Sequence, residues 1–143
     1  MVLVLTLIKS KRMNKFLVSI VLCLTSVITN AQGTTNLLEI EVDSIENVFV
    51  KKMYSNEKSS SFFIQIENSV PLHKNEVHAE TVYIISGEAS MVLNQDTILV
   101  KTGDLIDIPA NTQHAVTVTK RPLKVLSVQS PEFFGKDRVF IKE

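Results

Sequence analysis

An all-β domain, built as a small sandwich or barrel, is what this sequence predicts. Beyond residue 32, apolar and polar residues alternate at period two in short runs. Turn-forming Gly, Asn, Asp and Pro residues punctuate these runs at even spacing. No stretch there carries the long 3.6-residue period of an amphipathic helix. Periodicity alone does not choose between an immunoglobulin-like sandwich and a jelly roll.

The elements follow in order. Val48–Tyr54 is the first expected strand, and Asn56–Ser61 is a polar turn. Phe62–Glu67 alternates, with Phe62, Ile64 and Ile66 on one face and Phe63, Gln65 and Glu67 on the other. Val70-Pro71 marks an edge or a turn, because proline cannot donate to a ladder. Thr81–Ser86 is rich in β-branched and aromatic residues, and Gly87-Glu88 reads as a turn. Ala89, Met91 and Leu93 alternate on the next strand, and Asn94-Gln95-Asp96 makes a hairpin turn. Ile98 and Val100 follow, then a turn at Thr102-Gly103-Asp104. Ile106 and Ile108 lead into a turn at Pro109-Ala110-Asn111. His114, Val116 and Val118 share a face, and Leu123–Gln129 is the last core strand. In the tail, Phe133 and Phe134 could cover an open end. Val139–Ile141 could add a short strand at an edge or on a partner subunit.

The N-terminus reads as a secretory leader. Met13-Asn14-Lys15 is a short basic region, and Phe16–Ile28 is an apolar run too short to span a bilayer comfortably. Thr29-Asn30-Ala31 offers small residues for cleavage after Ala31. The expected organisation is a signal peptide over residues 1–31 and a single domain over 32–143. Met13 is a second plausible start. A secreted or periplasmic location follows, with no membrane association after the leader is removed. Cys23, the only cysteine, lies inside the leader. Loss of Lys9, Lys11, Arg12 and Lys15 with no acid takes the formal balance from zero to −4. A mildly acidic domain leaves no electrostatic footprint for nucleic acid.

All three histidines, His73, His78 and His114, fall between Pro71 and His114, together with Glu80. Three imidazoles and a carboxylate suit a divalent transition metal such as Fe, Mn, Ni, Zn or Cu. This stretch resembles the two motifs of the cupin superfamily. In the first motif, G-x5-H-x-H-x3,4-E-x6-G, His73, Glu80 and Gly87 match. In the second, G-x5-P-x-G-x2-H-x3-N, Gly103, Pro109 and His114 match. Glu67, Asn75, Asn111 and Val118 depart from the pattern. Asn111 stands for a glycine, and asparagine tolerates the left-handed conformation well. Asn75 stands for the second histidine.

The resemblance, over roughly residues 60–130, implies a double-stranded β-helix, the jelly-roll barrel of the cupin type. It also implies a metal held by three histidines and a glutamate. His78 could supply the missing imidazole: if the strand begins two residues before Glu80, both side chains project to one face. The site is then His73, His78, Glu80 and His114. If Asn75 keeps the ligand position, the set is two histidines and a carboxylate, which suits non-haem iron. His78 then stands as a loop residue. Two functions follow. One is a metal-dependent enzyme of the oxygenase, isomerase or lyase class acting on a small molecule. The other is a non-catalytic small-molecule or sugar-binding module. A homodimer paired through edge strands is a further implication of the resemblance.

Overall fold

The computed structural model describes residues 33–141; the leader expected over 1–31 lies outside them. After a short 3-10 turn at Leu37–Glu39, eight strands follow. They are β1 (Val48–Asn56), β2 (Ser59–Ile66), β3 (Ser69–Asn75), β4 (Ala79–Leu93), β5 (Asp96–Lys101), β6 (Leu105–Ile108), β7 (His114–Ser130) and β8 (Arg138–Phe140). The described residues contain no α-helix, as the absent 3.6-residue period requires.

Two long antiparallel strands set the architecture. β4 has 15 residues and β7 has 17, and they pair from Ala79↔Ser130 to Leu93↔His114. One end of β7 also pairs with β2, and the other pairs with β3. β4 carries β5 and β6 on its second edge. The sheet thus curls into a jelly-roll barrel. β1 forms one edge beside β2, and β8 forms another beside β3.

The turn expected at Gly87-Glu88 is instead a bend inside β4. The register with β7 shifts three times between Ile84 and Ala89, which lets a long strand change direction without ending. Gly87 has φ +93, and a Cβ there would lie 2.6 Å from the Pro122 carbonyl oxygen. Only glycine fits both demands. Other turns fall where expected. Asn94 and Asn111 take left-handed φ values of 54 and 65. The polar turn expected over Asn56–Ser61 is narrower, because Ser59–Ser61 already pair with β7 and β1. Pro71 sits at a register shift between Val70 and His73, where a missing N–H costs no ladder bond.

The core lies inside the barrel, where Ile66, Ile84, Met91, Ile108, Leu123 and Val125 are buried. The opposite face of β2 is covered as well. Phe63 is fully buried, with the Lys124 ammonium 6.0 Å from its ring centroid and hydrogen-bonded to the Ile40 carbonyl at 3.1 Å. β8 pairs with β3 of its own barrel, so the short tail strand finds its edge within the chain.

Candidate functional site

A cavity of about 220 Å³ runs into the barrel. Val50, Ile64, Ile66, Met91 and Val125 are among its apolar walls, and His73, Glu80, His114 and Arg138 give it one polar end. Strand register accounts for this convergence. His73 lies opposite His114 across β3 and β7, and opposite Phe140 across β3 and β8. Directly opposed residues share a face, so the His73 ring packs at a tilt against His114 at 4.1 Å and against Phe140 at 5.8 Å between ring centroids. Glu80 comes from the start of β4 and lies opposite Gln129.

Both imidazoles are oriented in the same way. His73 Nδ1 lies 2.8 Å from the Pro71 carbonyl oxygen, and His114 Nδ1 lies 2.9 Å from that of Thr112. A carbonyl only accepts, so each Nδ1 carries the hydrogen. This fixes Nε2 as the other functional nitrogen of each ring. His114 Nε2 lies 3.5 Å from Glu80 Oε2.

Glu80 sits in a buried polar layer. Ser127 donates to its Oε1 at 2.5 Å, Asn75 Nδ2 donates to its Oε2 at 3.2 Å, and Gln129 Nε2 reaches Oε1 at 3.5 Å. Burial alone would raise the carboxyl pKa. Hydrogen bonds from His114 and Ser127, with the charges of His114 and Arg138, outweigh that and hold it down to about 2. Glu80 is therefore a carboxylate at neutral pH. Burial, followed by the charge of His114, lowers His73 to about 4, despite the Pro71 hydrogen bond. His73 is therefore a neutral imidazole at neutral pH.

These donors fit a divalent cation. Neutral imidazole nitrogen and carboxylate oxygen are its usual ligands, and a ring N–H given to a backbone carbonyl is the usual support. Asn75 Oδ1 is buried with no hydrogen-bond partner, so an amide oxygen is also free to donate. Among the described residues, no three His, Cys, Asp or Glu side chains are grouped tightly enough to hold an ion as they stand.

His78 does not join this cluster. β4 begins at Ala79, so the strand geometry that would align His78 with Glu80 does not reach it. The His78 ring instead pairs with the Asp137 carboxylate through Nδ1, and its Nε2 lies 2.8 Å from the Glu132 carbonyl oxygen. Phe133 packs edge-on against it at 5.3 Å. Asp137 also accepts from Val77 N at 2.8 Å and His78 N at 2.9 Å, which ties the β3–β4 turn to the tail. Burial opposes charge on His78, but the Asp137 hydrogen bond, the Glu132 carbonyl and the Asp137 charge together raise its pKa. Of the four residues His73, His78, Glu80 and His114, three line one cavity, and Asn75 hydrogen-bonds to Glu80 beside them. Arg138 and Asp137 were not singled out from sequence, because a three-residue strand carries no readable period. Ser127 and Gln129 lie two apart on one face of β7, a spacing that strand period makes readable.

The family model described as "Cupin domain" matches residues 62–129. An uncharacterised protein of Methanocaldococcus jannaschii is 27% identical over 118 residues, covering 73% of this chain and 94% of that protein. Quercetin 2,3-dioxygenase of Bacillus subtilis is 32% identical over 62 residues, 43% of this chain and 18% of the dioxygenase. A solved structure from Klebsiella pneumoniae, an uncharacterised conserved protein with a double-stranded β-helix domain, superposes with a TM-score of 0.65. It shares 16% identity and covers 77% of this chain and 97% of that one.

Proposed function

This chain belongs to the cupin superfamily, and from that premise we propose that its cavity binds a small organic molecule beside a divalent transition metal. His73, Glu80 and His114 would hold the ion, with the Asn75 amide oxygen as a further donor. The observation that carries this reading is the matched pair of Nδ1 hydrogen bonds to Pro71 and Thr112, which leaves both Nε2 atoms for the site. Such an ion would supply Lewis acidity or redox chemistry. The chain's own residues do the rest. Ser127 and Gln129 hold the Glu80 carboxylate in place, and the aliphatic walls keep water from the polar end. An enzyme of the oxygenase, isomerase or lyase class fits this arrangement, and the partial likeness to a quercetin dioxygenase supports the first. We also propose export of the chain through the leader ending at Ala31.

Elemental analysis and metal titration of the protein purified from its own host test the metal. About one ion per chain is expected, with loss of that ion in His114→Ala. A parent protein that takes up none of Fe, Mn, Ni, Zn or Cu overturns the metal. A second reading would then stand: a non-catalytic small-molecule-binding module. The closed hydrogen bonding around Glu80 favours it, since Ser127 and Asn75 donate to the carboxylate without any ion.

A further inference from the structure

Among the described residues, one cation in the cavity, Arg138, has no hydrogen-bond or ion-pair partner. Arg138 stands directly opposite Asn75 across the β3–β8 pair, and Phe140 stands opposite His73. Arg138 therefore shares the face that carries Asn75 and His73 into the barrel, and it lines the cavity beside His73, Glu80 and His114. Its Nε is buried and makes no hydrogen bond. Among the described residues, no carboxylate lies within ion-pairing distance of its guanidinium. The neighbouring Asp137 turns the other way, to His78 and the backbone of residues 77 and 78. A buried donor of this kind costs free energy unless something accepts from it.

We propose that Arg138 anchors the carboxylate of a small, largely apolar organic acid bound in the barrel cavity. This deepens the reading of the cavity as a small-molecule site and rests on it. The planar guanidinium offers parallel N–H donors that match a carboxylate. Arg138 is the only Lys or Arg among the described residues lining the cavity, which matches the single charge of a carboxylate better than the two of a phosphate. The rest of the acid lies along Val50, Ile64, Val70 and Val125, where burial of its carbon chain adds affinity. A volume of about 220 Å³ is below the usual range for drug-sized ligands, so the acid is short. Phe140, two residues along the same strand, lies against the His73 ring.

The test compares hexanoate with hexanamide, an uncharged analogue of the same shape. Calorimetry on the full chain, stripped of metal with chelator, keeps any ion from binding the acid itself. Hexanoate should bind at least tenfold more tightly than hexanamide. Arg138→Gln should abolish that preference, and Arg138→Lys should keep part of it. Circular dichroism of both variants reports folding. A parent that shows no preference, or binds neither probe, overturns the proposal. So does a folded Arg138→Gln variant that keeps the preference. Metal uptake, measured separately on the untreated samples, separates the two readings. Uptake without acid preference removes the anchor alone, and acid preference without uptake removes the metal alone.

Discussion

His114 Nε2 and Glu80 Oε2 face each other at 3.5 Å, while the other nitrogen of the ring is held by the Thr112 carbonyl. With Nδ1 carrying a hydrogen, a bare Nε2 lone pair would repel the carboxylate. The gap between them is where the proposed metal ion would be held, with Nε2 and Oε2 as its donors.

Acid should destabilise the metal-depleted protein in two stages. His73 is lowered to about 4 in the fold but titrates near 6.5 once unfolded. Between those values the unfolded chain binds the extra proton, so stability falls as pH drops from 6.5 to 4. Glu80, held to about 2, adds a second loss below about 4.5. His78 is raised, so its contribution is intact throughout the first window and is lost only as pH rises through its folded value. Thermal midpoints across pH should show both stages. His73→Gln should flatten the first, and an unchanged slope in that variant would count against this assignment.

The two histidine substitutions should separate cleanly. His114→Ala should weaken zinc affinity at least tenfold, ~1.4 kcal/mol or more. His78→Ala should leave it within about twofold, because that ring is occupied by Asp137 and Glu132. Its cost should appear in stability, at about 2–3 kcal/mol, since it leaves Asp137 with a buried and weakly paired charge. Equal losses of zinc in both variants would return His78 to the site.

Gly87→Ala should be severe for so small a change. The left-handed backbone and the approach of the Pro122 carbonyl act together, and the expected loss is about 2–4 kcal/mol. Urea unfolding should show a lower midpoint at an unchanged slope. A variant as stable as the parent would mean that the β4 bend relaxes freely.

N-terminal sequencing of protein recovered from its own host should begin at Gln32, in line with cleavage after Ala31. A soluble chain that retains Met1 or Met13 in the cytosol would remove the case for export.

The strands were legible because their outward residues are polar and their turns carry Gly, Asn and Pro. The gathering of His73, Glu80 and His114 in one cavity follows the motif spacing that carried the resemblance. The position of His78 was not legible. Period two says which residues share a face once a strand is under way, but not where the strand starts, and β4 starts one residue after His78. The Gly87 bend was read as a turn because glycine punctuates both. What keeps β4 going is its pairing with β7 on either side of the bend, a contact between distant parts of the chain. Arg138 and Asp137 depend on such contacts entirely.

The pairing of Asn75 with Arg138 also makes one wall of the cavity easy to open. β8 has only three residues and, among the described residues, pairs with β3 alone. Release of so short an edge strand costs far less free energy than global unfolding. It would carry Arg138 and Phe140 away from the cavity together, while β3, β4 and β7 keep His73, Glu80 and His114 where they are.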